Sequence, residues 1–121
     1  MTNKELPHLR LLASHEGNIV YTDHGQTQML DRGYFADDVK KILTSATNQL
    51  IEVQPVCKDH PNERYVISDP LYRPDTAVII VLNLHNPTPQ IVVITVEPAL
   101  DSVWQKNVTE DPWLKRVGKM K

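Results

Sequence analysis

Residues 76–97 read TAVIIVLNLHNPTPQIVVITVE, two apolar runs parted by a proline-rich turn. Thr76–His85 and Gln90–Glu97 are rich in β-branched residues and apolar at consecutive positions. That is the pattern of strands covered on both faces near their centres, or lying in the middle of a sheet. The connection His85-Asn86-Pro87-Thr88-Pro89 is too short for a helical crossover, so the two strands are expected to form an antiparallel hairpin. They are expected to be central.

Working outward, Gln49–Val53 and Arg64–Ser68 read as two further strands. Pro55–Asn62 and Asp69–Asp75, each with two prolines, are expected as exposed connections, the kind of loop that often carries ligand contacts. Upstream, Thr22–Leu43 (TDHGQTQMLDRGYFADDVKKIL) reads as helix, glycine stop, helix. Thr22 or Asp23 can cap the first helix by accepting a bond from an orphan amide. Gly33 can supply the left-handed residue that ends it, and the second helix runs from about Ala36 to Thr44. Ile19–Tyr21 is a brief extended entry, Gly17-Asn18 a turn, and Pro7 opens a short helix through Leu9–Ser14 behind a frayed first few residues.

Downstream, a final helix of about two turns is expected from Asp101, with Leu100 and Trp104 packing back on the sheet. Beyond Thr109 the chain is expected to loosen. Strands grouped after helices indicate an α+β fold: N-terminal helices on one face of a four-stranded, mainly antiparallel twisted sheet, with a short C-terminal helix. Residues 1–18 form an N-terminal extension with a short helix, 19–108 the α+β domain, and 109–121 a basic C-terminal tail.

The 121 residues suffice for one core but not two. No apolar run approaches the roughly 20 residues that span a bilayer, and no secretory signal opens the chain. The lone Cys57 has no internal disulfide partner, in keeping with a reducing compartment. A soluble cytoplasmic protein is expected. Nine basic and fifteen acidic residues precede Trp113, a balance of −6, while Lys115, Arg116, Lys119 and Lys121 give the remainder +4. A body of that sign gives no general attraction for phosphates. The tail reads either as a local anion-binding arm or as a solvated basic terminus.

At about 100° per residue, His24, Gln28 and Arg32 fall within one sector of the first helix of the pair, with Met29 and Leu30 to either side. A titratable base and a fixed cation therefore share a face. Cys57-x2-His60 is a possible metal half-site, but it lacks a partner pair, and His8, His15 and His85 are scattered; no metal or other cofactor is expected. There is no P-loop, dinucleotide glycine fingerprint or Gly-x-Ser-x-Gly elbow.

The run His24-x4-Met29-x2-Arg32-Gly33-Tyr34, followed by Asp38-Val39 and Ile42-Leu43, resembles the start of the DUF4258 family, and Ile91–Val96 with Thr95 near its end is similar to a later strand of that family. The resemblance covers roughly residues 20 to 97. Gln28 stands where the family usually has arginine, and Ala46-Thr47 where it usually has glycine. The resemblance implies a compact helix-pair-plus-sheet domain related to the RelE and barnase-like ribonuclease group, which includes toxin domains. That group cleaves RNA without metal, by attack of a 2′-hydroxyl on the neighbouring phosphate.

Such chemistry needs a base, an acid and a cation. Histidine suits the first two roles because its unperturbed pKa is about 6.5. Arginine suits the third because its planar fork matches phosphate oxygens. His24 and Arg32 are the candidates, roughly 12 Å apart in helical rise, with Thr95 as a hydroxyl donor and Arg64 and Gln28 as substrate-binding groups. Each has a plainer role: His24 as a capping or packing residue, Arg32 paired with Asp31 or Asp38, Thr95 structural, Arg64 a strand-edge charge. Two functions follow. One is a metal-independent endoribonuclease, acting as a toxin where an antidote or immunity protein is its partner. The other is a non-catalytic interaction or regulatory module on the same scaffold, favoured by the acidic body and the scarcity of aromatic residues. A concave basic pocket around His24 favours the enzyme, and an acidic or apolar flat surface there favours the module.

Overall fold

The computed structural model describes residues 3–58, 62–72, 77–85 and 90–118. The described elements are helices α1 (Leu6–Ala13), α2 (Asp23–Arg32) and α3 (Ala36–Thr44), and strands β1 (Ile19–Tyr21), β2 (Gln49–Gln54), β3 (Arg64–Ser68), β4 (Val78–His85), β5 (Gln90–Pro98), β6 (Trp104–Lys106) and β7 (Leu114–Arg116). The main sheet has five strands in the order β1-β5-β4-β3-β2, and β6 and β7 form a second, two-stranded sheet. The fold is α+β, as its patterning predicts.

β4 and β5 pair antiparallel and lie inside the sheet, while the expected turn residues Asn86–Pro89 and Thr76 lie outside the described residues. The consecutive apolar pattern has a direct cause, because both faces are covered. Val78, Ile80 and Leu82 point toward the helices, where Leu9, Val39 and Leu43 are completely buried. Ile79 and Val81 point to the opposite face, under Trp104, Trp113 and Leu114. A bulge lets β5 serve both layers: Leu82 pairs with Val93 and Val81 with Thr95, leaving Ile94 as the extra residue. Val93 and Val96 thereby face the helices although they are three positions apart.

Four expectations need correction. Ile19–Tyr21 is a fifth strand of the sheet, paired parallel to β5 through Ile19↔Ile91 and Tyr21↔Val93. The sheet is therefore mixed. Residues from Asp101 form a turn leading into strand β6 rather than a helix, and Leu100 is exposed while Trp104 is buried. The chain does not loosen beyond Thr109: Trp113 and Leu114 are fully buried and β7 pairs with β6. The cause is the second face of the sheet, whose apolar side chains need a cover that the helices cannot reach. Finally, Asp69 and Pro70, expected in an exposed loop, are buried, with the Asp69 carboxylate accepting from the Thr47 hydroxyl at 2.7 Å and the Leu71 amide at 3.0 Å.

Polar clasps fix both layers. Arg10 donates to the Asn48 side chain at 2.9 Å and to its carbonyl at 3.1 Å. The buried Asn48 amide in turn donates to the Ile42 and Leu43 carbonyls, satisfying the end of α3. On the other face Arg116 clasps Glu52 in two bonds of 2.7 and 2.9 Å and lies 4.7 Å over the Trp104 ring. The Trp113 amide donates to Gln49 Oε1 at 2.7 Å. No helix among the described residues is long and apolar enough to cross a membrane.

Candidate functional site

One residue, Thr22, separates β1 from α2, which continues along the same edge of β5. Thr22 caps it, its hydroxyl accepting from the Gly25 amide at 3.0 Å, and Gly33 ends it at φ 74°. Of the two sequence-level cap candidates, Thr22 is therefore the one used. The helix is mostly polar and buries only Gly25 and Met29. Gly25 is required by proximity: a Cβ there would stand 2.9 Å from the Val93 carbonyl oxygen and 3.2 Å from that of Ile94. The Thr22 amide donates to the Val93 carbonyl at 3.0 Å, so the helix start is seated on the bulged strand.

His24 lies in the first turn of α2, exposed, and its side chain has no hydrogen bond or ion pair among the described residues. Arg32, at the far end, turns toward the strand. Its Nη1 stands 3.5 Å from the Val96 carbonyl and 3.7 Å from Glu97 Oε1. Its partner is thus Glu97, not Asp31 or Asp38. Asp38 is instead buried at the start of α3, where it accepts from the Phe35 amide at 2.8 Å and from the Tyr72 hydroxyl.

The small hollow of about 90 Å³ that Arg32 lines, with Glu97, Leu100, Val103 and Trp104, contains neither His24 nor Thr95. Thr95 pairs with Val81, so its side chain lies on the face covered by β6 and β7, away from the helices. Arg64 opens β3, two strands from β5. Gln28 is half-buried, its Oε1 shielded from water with no hydrogen-bond partner among the described residues. The sector shared by His24, Gln28 and Arg32 on a helical wheel is thus not a shared cavity. Cys57 is exposed, and His60 lies outside the described residues.

What the surface around α2 does carry is apolar. A hollow of about 310 Å³ is lined by Tyr21, Met29, Leu30, Tyr34, Phe35 and Ala36, together with Gln26. Leu30 is 83% exposed and Phe35 70% exposed, an unusual display for two large apolar side chains that line one hollow. A second hollow of about 280 Å³, lined by Glu16, Ile19, Tyr21, Ala36, Asp37 and Lys40, shares Tyr21 and Ala36 with the first. The two form one groove along β1.

Its charge is uneven. Among the described residues that line it, Glu16 and Asp37 are opposed by Lys40, whose Nζ stands 3.5 Å from Glu16. Burial, and secondarily the Glu16 carboxylate, raises the pKa of the Tyr21 hydroxyl above its ordinary value. The groove escaped sequence reasoning because Leu30 and Phe35 belong to different elements. The available signal was Leu30, an apolar residue on a mostly polar helix.

No curated protein and no solved structure matches the chain. The profile of one family, described as a domain of unknown function, matches residues 21–98, a span running from the end of β1 to the end of β5 that takes in α2, α3 and the strands between. By that match the chain belongs to the DUF4258 family.

Proposed function

We infer that this domain is a protein-interaction module that takes a segment of a partner protein into the groove between β1, α2 and α3. The observation that carries this reading is that Leu30 and Phe35, both largely in solvent, line one hollow over the buried Met29 and half-buried Tyr21. Large apolar patches on a soluble domain mark contact surfaces, and aromatic and Met side chains are enriched at such contacts. The occupant that fits is an apolar segment with lysine or arginine beside its anchors. Glu16 and Asp37 outnumber Lys40 on the rim, and the chain before Trp113 carries −6.

The endoribonuclease reading needs an imidazole and a guanidinium on one phosphate. The Arg32 guanidinium is directed to Glu97 on the strand, and a carboxylate beside it competes with a phosphate for the same donors. The acidic body opposes RNA as well.

A peptide library displayed against the wild-type domain tests the interaction reading. Selected peptides are expected to be apolar and basic, and to lose at least about tenfold in affinity for the Leu30→Lys and Phe35→Ser variants. Peptides that bind all three proteins equally would remove the groove from the function. In parallel, the domain is incubated with RNA in EDTA, and the RNA is expected to stay intact. RNA loss that disappears in His24→Ala would establish the nuclease in place of the module.

A further inference from the structure

Resting on the interaction reading, we propose that the partner segment binds as an extended strand, adding a sixth strand to the sheet alongside β1. Among the described residues β1 ends the sheet, with β5 as its neighbour. In a parallel ladder the N–H and C=O of one residue both face the same side, and successive residues alternate. The Thr22 amide bonds the Val93 carbonyl, and the register sets Tyr21 against Val93. Thr22 and Val20 therefore address β5, while Ile19 and Tyr21 turn their peptide groups outward. The Ile19 amide is occupied by the Glu16 carbonyl. The Tyr21 N–H and C=O and the Ile19 C=O remain as the outward-facing set.

The groove is laid out for an extended chain. Ile19 and Tyr21, two residues apart on β1, project to its floor, and the two hollows meet at Tyr21 and Ala36. A strand beside β1 would send side chains i and i+2, roughly 7 Å apart, onto that same face, one into each hollow. Main-chain bonds to Ile19 and Tyr21 supply binding and the two hollows supply selectivity, the division of labour of strand addition. Basic residues next to the anchors meet Glu16 and Asp37.

The rest of the sheet perimeter is blunted. Beyond Val93 the edge of β5 is occupied by α2, through Thr22 and the close approach at Gly25. The far edge, β2, carries a bulge at Ile51, where Leu50 pairs with Ile67 but Glu52 with Val66. Bulges and charged residues are the usual guards against strand pairing.

The probe is a capped synthetic peptide, Lys-Val-Lys-Val-Lys-Leu-Lys, followed by NMR on the isotope-labelled full chain. Binding is expected to slow hydrogen exchange of the Tyr21 amide and to shift resonances of Leu30 and Phe35. Two N-methylated versions keep every side chain and block alternate backbone donors. The version blocking the donors that face β1 is expected to bind at least about tenfold more weakly, the other unchanged. Equal binding of both versions, no protection of Tyr21, or no binding of the extended peptide would overturn the strand proposal. A peptide of the same composition rearranged to helical spacing separates the two levels. If it binds in the groove and the extended one does not, the interaction reading stands and strand addition falls.

Discussion

Two apolar surfaces of this domain, each bearing aromatic side chains, are treated in opposite ways. On the far face of the sheet, Trp104 and Trp113 are sealed between β6–β7 and the central strands. Beside β1, Leu30 and Phe35 stand in solvent. The first surface is spent on stability, because its apolar area leaves water on folding. The second contributes almost nothing to folding, which is why it is the better candidate for binding.

The comparison breaks most sharply at Trp113. Trp113→Ala empties a fully buried site and is expected to cost about 3–5 kcal/mol, read as a lower urea midpoint. A loss under about 1 kcal/mol would mean that β6–β7 is not part of the cooperative unit. At the seam between the two surfaces, Gly25→Ala drives a Cβ toward the Val93 carbonyl oxygen. It is expected to destabilise by about 1–3 kcal/mol, whereas alanine at an ordinary helix glycine stabilises; a gain in melting temperature would show that α2 is not seated on β5.

Thr22→Ala removes the cap of α2 and is expected to cost about 1 kcal/mol, and Thr22→Asn should restore most of it. Leu30→Lys and Phe35→Ser complete the comparison. Each is expected to change stability by no more than about 0.5 kcal/mol while weakening peptide binding. A large stability loss in either would place that residue in the core rather than on a contact surface.

Tyr65 gives a pH-dependent check on the helix-covered face. Its burial, and secondarily the 2.7 Å bond from its hydroxyl to Glu63, raise its pKa to about 12. The folded state holds the phenol proton more tightly than the unfolded chain, whose phenol titrates near 10. The stabilisation is therefore complete below pH 10 and is lost as pH rises from there through about 12. Tyr65→Phe should flatten the decline of melting temperature over that alkaline window. An unchanged decline would assign it to other groups.

Local chemistry made part of this architecture legible. The cap of α2 at Thr22, its stop at Gly33 and the strand Arg64–Ser68 follow from a hydroxyl acceptor, a left-handed glycine and a β-branched run, signals carried within a few residues. β1 was not legible as a sheet member because three residues carry no pairing signal, and its partner lies some seventy positions away at Ile91–Val93. The C-terminal hairpin is hidden in the sequence for a related reason. β6 and β7 are three residues each, too short for a period, although both tryptophans of the chain sit in or beside them. For the site, helical spacing put His24 and Arg32 in one sector, but the rotation of Arg32 to Glu97 depends on where β5 lies.

By itself the sequence determined the α+β class, the helix pair, the central antiparallel hairpin and the family resemblance, because caps, turns and apolar runs act over a few residues. Only the tertiary structure decided that the sheet is mixed, that its second face is closed by the C-terminal hairpin, and that an apolar groove opens beside β1. Those features join residues distant along the chain, and their energies come from surfaces that exist only after the sheet has formed.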